Sequence, residues 1–313
     1  MSRVTNAASS RAIADSIVID NPRARSAHEA FEYLIQHAQA RPTQSKQGVL
    51  VVAPSQTGKS TLIQSFANRL NEPELLADRQ VPVLFVTLAA NVTRKGLAVN
   101  ILEALEDCGY ATCSHRGNET ILQRRAEVYL REARVKLLVL DEFHHLIHSE
   151  SQQLANSVGE TIKRMLITGV CPIVLSGIEI AQRPFWANAQ LTQRCLPPIT
   201  LKPLEITNSS DVMMFMRFLK DYARQLEERG AATDVAHLAH EEFAAPILEV
   251  SQGILGAACN LIKDALYVAC MRGYDSIARE DLAAATDRSF IATKLYDRNP
   301  FLHGLRQFRP VQR

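Results

Sequence analysis

Two short runs in this chain assemble residue types that handle phosphate and water. Residues 53–61 read Ala53, Pro54, Ser55, Gln56, Thr57, Gly58, Lys59, Ser60 and Thr61, directly after the apolar run Gly48–Val52. A buried strand that breaks into a polar loop and then Gly-Lys-Ser at a helix start is the context of a phosphate-binding loop. The unpaired N–H groups and the positive dipole end of that helix suit phosphates. Lys59 would reach the β- and γ-phosphates, and Ser60, with Thr61 alongside, would ligate Mg2+. The usual pattern opens with glycine where this chain has Ala53. Pro54 restricts Ala53 to extended backbone, so an alanine can make the turn out of the strand.

The second run, residues 136–145, is apolar until it meets Asp141 and Glu142. Carboxylates at the carboxyl end of a buried strand, beside a phosphate loop, have one economical use. Asp141 orients Mg2+ through water, and Glu142 polarises the water that attacks the γ-phosphate. A small-molecule kinase needs no Glu there, so the pair points to an ATPase. About 80 residues and one whole strand–helix unit separate Lys59 from Asp141, so another strand is inserted between the two. This is the arrangement of the additional-strand ATPases. Ser176 ends a further apolar run, where a polar side chain can sense the γ-phosphate; the plainer reading is a Ser-Gly turn. Arg194 falls at a helix end before the last short strand, placed either to reach a neighbouring subunit's ATP or simply to lie on the surface. His144, His145 and His148 invite a metal reading, but no third ligand pairs with them in sequence, and an ordinary polar helix start accounts for them.

The elements that must hold these groups follow from hydrophobic periodicity. Strands are predicted at Gly48–Val52, Val83–Leu88, Lys136–Leu140, Cys171–Leu175 and Ile199–Leu201, separated by helical segments over Pro22–Ala40, to Arg69, Leu97–Asp107, Glu119–Arg134 and Ser151–Gly169. Continuous apolar runs of about five residues between helices indicate a parallel sheet covered on both faces, an α/β fold. After Pro203 the pattern turns to helices only, at about 209–229, 234–250, 256–272 and 279–290. The domain reading is a flexible arm over 1–21, an α/β ATPase domain over 22–206, a helical lid over 207–290 and an arginine-bearing tail over 291–313.

The chain has 313 residues, 47% hydrophobic and 22% charged, with 35 basic and 33 acidic side chains. That near-neutral balance excludes a histone-like mass-action DNA binder but leaves room for local basic surfaces. Six cysteines lack paired metal-ligand spacing, and no apolar run approaches a membrane span. Reduced, idle thiols in a cytoplasm, with no membrane partner, are expected; Cys108 and Cys113 could pair in principle.

Together, APSQTGKST, LLVLDEFHHL, VLSGIE, QLTQRC and SQGILGAACNLIKDAL resemble the AAA+ ATPases of transposition, and more narrowly the TniB family related to the TnsC regulators of Tn7-like and Tn5053-like transposons. The leading helix NPRARSAHEAFEYL and the NPF at 299–301 fit the same family. The resemblance implies an AAA+ P-loop NTPase with a five-stranded sheet of order 5-1-4-3-2 and a C-terminal helical lid. It implies ATP and Mg2+ as cofactors, and assembly into a homo-oligomer, ring or filament, around double-stranded DNA. It also implies two partners, a transposase of the TniA/TnsB type and a TniQ-like target selector. Lys59, Ser60, Asp141, Glu142, Ser176 and Arg194 take the roles argued above. DNA contacts would come from Thr93, Arg94 and Lys95 and from Arg116, Asn118 and Thr120; such contacts to phosphates are sequence-tolerant and salt-sensitive. The sequence departs from the pattern at Ala53 and at Ala257, where related ATPases often carry a nucleotide-sensing arginine. Either Lys263 substitutes, or the lid does not touch the γ-phosphate.

Two rival readings share the loop and the carboxylate pair. One is an IstB/DnaC-like helicase loader or DNA-remodelling ATPase, against which the NPF and the leading helix speak. The other is a scaffold that binds nucleotide without hydrolysing it, against which Glu142 speaks.

Overall fold

The computed structural model describes residues 2–90, 92–110, 114–147 and 152–306. Residues 2–15, expected as part of a flexible arm, instead form helix α1 (Arg3–Asp15), capped by the Ser2 side chain, which accepts from the Thr5 N–H. Ala7, Ser10 and Ala14 recur at three- and four-residue spacing and are buried. A stripe of small residues carries little apolar signal, which is why composition suggested an arm.

The α/β part contains α2 (Pro22–Ala40), β1 (Gly48–Val52), α3 (Lys59–Leu70), α4 (Pro73–Ala77), β2 (Val83–Thr87), α5 (Arg94–Asp107), α6 (Glu119–Glu132), β3 (Leu137–Asp141), α7 (Gln152–Thr168), β4 (Ile173–Gly177), α8 (Arg183–Ala187), α9 (Ala189–Thr192) and β5 (Ile199–Thr200). All strands pair in parallel, in the order β2-β3-β4-β1-β5. Read from the other edge this is the expected 5-1-4-3-2. Strand side chains alternate between two buried layers. Val49, Val51, Val83, Leu137, Val139 and Val174 pack with Phe31, Phe66 and their neighbours on α2 and α3. Leu50, Val52, Leu84, Val86, Leu138, Leu140, Ile173 and Leu175 pack with the apolar residues of α5, α6 and α7. Burial on both faces explains why β1, β3 and β4 read as unbroken apolar runs.

Two differences from the expected elements bear on the site. Strand β4 runs two residues further than expected, so Ser176 lies inside the sheet, in register with Val51. The Ser-Gly turn reading is thereby corrected. Helix α5 starts three residues early, because the Thr93 hydroxyl accepts from the Gly96 N–H and caps it. Short helices such as α4, α8 and α9 fall below the length at which periodicity is legible.

The second compact unit comprises residues 2–21, Gln56–Gly58 and 203–306. It contains α1, α10 (Ser209–Glu228), α11 (Glu241–Val250), α12 (Leu255–Arg272), α13 (Arg279–Thr286) and α14 (Pro300–His303). Helix α1 lies along α12, fastened by an Arg11–Asp264 ion pair and by Lys263 Nζ 2.7 Å from Asp15 Oδ1. Residues 291–306, expected as a tail, belong to this unit. Asn299 is buried; its Nδ2 donates to the Ala283 carbonyl at 2.9 Å and to Asp287 Oδ1 at 2.8 Å, and its Oδ1 accepts from the Phe301 N–H. Among the described residues no single helix is long and apolar enough to cross a membrane.

Candidate functional site

The site grows from the end of β1. The Ala53 N–H donates to the Gly177 carbonyl at 3.1 Å, so pairing with β4 continues one residue past the strand. Ala53 is buried, while Pro54, Ser55 and Gln56 are exposed and Thr57 is half-buried. The loop turns through two left-handed residues, Gln56 at φ 63° and Gly58 at φ 83°. A Cβ on Gly58 would meet nothing within 4 Å, so glycine serves the backbone conformation there rather than space. Helix α3 then begins at Lys59, presenting its free N–H groups to the loop.

Lys59 is only 5% exposed. Its Nζ lies 3.8 Å from Glu142 Oε1, the one ion pair it makes among the described residues. Ser60 Oγ donates to Asp141 Oδ2 at 2.6 Å, joining the start of α3 to the end of β3. Asp141 is 2% exposed, and its Oδ1 has no hydrogen-bond partner among the described residues. The same holds for Ser176 Oγ, fully buried on β4. An unsatisfied buried polar atom costs about 1–3 kcal/mol, and the two sit at the carboxyl edge of the same sheet. A hydroxyl beside a buried carboxylate with one unbonded oxygen is a hard-oxygen donor set, so Ser60 and Asp141 fit Mg2+. Thr61 is exposed on α3.

Glu142 adopts φ 55°, ψ 35°, a left-handed conformation that non-glycine residues rarely take. Behind it Phe143 and Leu146, both buried, anchor a 3-10 turn rather than the polar helix start expected. His144 Nδ1 lies 3.3 Å from Glu142 Oε2. Burial holds the His144 imidazole below its usual pKa; Glu142 and Asp141 pull it back up, while His145 and Lys59 push it further down. His145 Nδ1 is 2.8 Å from the Leu88 carbonyl. Glu142, His144 and His145 present ligand-type atoms within 4.8 Å of one another. Within that cluster Lys59 Nζ lies 3.8 Å from Glu142, and the Leu88 carbonyl lies 2.8 Å from His145 Nδ1. His148 lies outside the described residues.

Arg194 is not brought to this site. Its carbonyl accepts from the Gly48 N–H, at the opposite end of β1, and its Nη1 donates to Ser45 Oγ at 3.1 Å. Roughly 15 Å of strand separates that end from the loop. The two segments expected to meet DNA are brought together through the packing of α5 on α6. Arg94 Nη2 lies 3.6 Å from Glu119 Oε2. Thr93 and Asn118 spend their side chains as helix caps, Asn118 accepting from the Ile121 N–H at 3.0 Å. Lys95, Arg116 and Thr120 are exposed. Sequence reasoning missed Arg125, whose Nη1 donates to the Ser114 and Arg116 carbonyls and braces this loop; the adjacent Arg124-Arg125 pair was the available signal. In the helical unit Ala257 is buried and Lys263 is paired with Asp15, so the ammonium weighed as a nucleotide sensor is committed to α1.

The fold is shared with solved proteins of low sequence identity. The ORC2 protein of Aeropyrum pernix, in ADPNP–ADP complexes, matches with a TM-score of 0.63 at 17% identity over 91% of this chain and 73% of that one. The Aeropyrum pernix ORC1 protein in complex with DNA gives 0.59 at 15%, over 88% and 68%. Cdc6p of Pyrobaculum aerophilum gives 0.59 at 14%, over 87% and 69%. No curated protein sequence matches the chain. The family model for the bacterial TniB protein matches residues 10–205, well over half the chain. Loop, carboxylate pair and sheet order agree with that match, and the chain belongs to the TniB family, a P-loop ATPase of the AAA+ fold.

Proposed function

We propose that the chain is an ATP-dependent, DNA-binding regulator of transposition that assembles on target DNA and links target selection to the transposase. The observation that carries the nucleotide half is the Ser60–Asp141 bond beside Lys59 and Glu142, a hydrolytic set within one chain. The family match supports the transposition half, and the likeness to origin proteins solved with DNA supports the duplex as ligand.

In this reading the ammonium of Lys59 leaves Glu142 for the β- and γ-phosphates. Glu142, released, polarises the attacking water, and Ser176 hydrogen-bonds the γ-phosphate. Ser60 and Asp141 hold Mg2+, which neutralises phosphate charge when bound. Residues 55–58 offer backbone N–H groups to the phosphates, while Ala53, whose own N–H stays on Gly177, and Pro54, which has none, shape the turn. Arg194, away from its own loop, serves a neighbouring copy's ATP and thereby makes assembly nucleotide-dependent. Thr93, Arg94, Lys95, Arg116, Asn118 and Thr120 face DNA phosphates. A TniA/TnsB-like transposase and a TniQ-like selector are the protein partners, and the cytoplasm is the compartment. The helical part is the lid of this reading, with Ala257 where related ATPases often carry a sensor arginine.

Electron microscopy of the chain with duplex DNA and a slowly hydrolysed ATP analogue tests this reading. Nucleotide-dependent collars or filaments on DNA are expected; dispersed monomers with no gain in DNA retention overturn it. An Arg194→Ala chain that still assembles overturns the bridging role alone. Pull-down of replicative helicase in place of transposase would favour the helicase-loader alternative.

A further inference from the structure

The carboxylate of Glu142 touches two side chains, and only one of them can stay when nucleotide arrives. Lys59 Nζ is 3.8 Å from Oε1, and the same ammonium is the loop's phosphate ligand. His144 Nδ1 is 3.3 Å from Oε2 and has no hydrogen-bond partner among the described residues. The imidazole is held on several sides. Its centroid is 4.4 Å from that of His145, which the Leu88 carbonyl fixes. A Cβ on Gly177 would come 2.8 Å from the Ala181 Cβ and 3.4 Å from the His144 backbone N and Nδ1, so the end of β4 lies close beside the ring. Phe143 and Leu146 bury the turn that carries it. A ring packed on His145 beside the end of β4, with a buried nitrogen 3.3 Å from the carboxylate and no hydrogen bond of its own among the described residues, is placed to hold that carboxylate.

We propose that His144 is a positioning residue for Glu142: once Lys59 turns to the phosphates, the imidazole Nδ1–H holds the carboxylate oriented toward the attacking water. This rests on the ATPase reading of the same site. No bond is made or broken by His144; it fixes the direction of the group that polarises water. The packing of its turn against β4 also ties that direction to the strand carrying Ser176.

The test compares His144→Leu, which keeps apolar bulk without a donor, with His144→Asn, whose amide N–H lies close to the Nδ1 position. Steady-state ATP hydrolysis, binding of a non-hydrolysable ATP analogue and melting temperature are read for both. Losing the orientation of a reacting group costs up to about 100-fold, so His144→Leu is expected to lower kcat on that order. KM and analogue affinity stay unchanged, and His144→Asn recovers most of the rate. In a Glu142→Gln background His144→Leu should have no further effect, since it acts through that carboxylate. Equal kcat in the Leu and Asn variants, an effect on KM alone, or additivity with Glu142→Gln overturns the proposal. If the unaltered chain and Glu142→Gln hydrolyse ATP equally, the ATPase reading itself fails, an outcome distinct from the others.

Discussion

Two lysines, Lys46 before β1 and Lys59 after it, are each 5% exposed. Lys46 donates to the carbonyls of Ala38, Arg41 and Pro42 at 3.1, 2.8 and 3.0 Å, so all three ammonium protons are used where α2 ends. Lys59 has a single carboxylate at 3.8 Å. Both are buried cations beside the same strand, yet one is closed and the other open. A buried charge with every donor placed is architecture; one held loosely by an acid that also has work to do marks a place for a ligand.

The sharpest way to break this contrast is to remove each charge. Lys59→Met should abolish measurable binding of ATP while leaving the melting temperature within a few degrees. Glu142→Gln should keep nucleotide binding and lower kcat by about 100-fold or more, as loss of a general base does. Lys46→Met should reverse the pattern. It orphans carbonyls at the end of α2 and costs about 1–3 kcal/mol of stability, read by chemical denaturation, with kcat unchanged. If Lys46→Met impaired hydrolysis as strongly as Lys59→Met, the distinction would be lost. A smaller effect is expected at the α5–α6 segments. Arg116→Ala should weaken DNA binding and lower the slope of log affinity against log salt by about 1; an unchanged slope removes Arg116 from the interface. The smallest belongs to Ala53→Gly. Because the Ala53 N–H already bonds Gly177 within the sheet, nucleotide affinity should stay within about threefold, the order of a glycine's backbone entropy. A large gain would show that alanine limits the loop.

The same contrast explains what could be read from sequence. Lys59, Ser60, Asp141 and Glu142 declare themselves because their spacing from buried strands is fixed by the sheet, and those strands are apolar throughout. Strand order came through resemblance to known ATPases, since periodicity places strands without ordering them. Lys46 was invisible: a lone lysine in a polar loop says nothing about three carbonyls converging on it. Helix α1 was missed because its buried face is Ala7, Ser10 and Ala14. His144 was seen, but as one of three histidines on a helix that the left-handed Glu142 prevents from forming at that point.

Asn299 and Phe301 have a consequence for anyone who divides this chain. The helical pattern stops near residue 290, which invites a cut there. Such a cut would strip the Ala283 and Asp287 oxygens of their amide and bare the seat of a buried phenyl ring. A fragment that keeps this packing must therefore carry residues through Phe301.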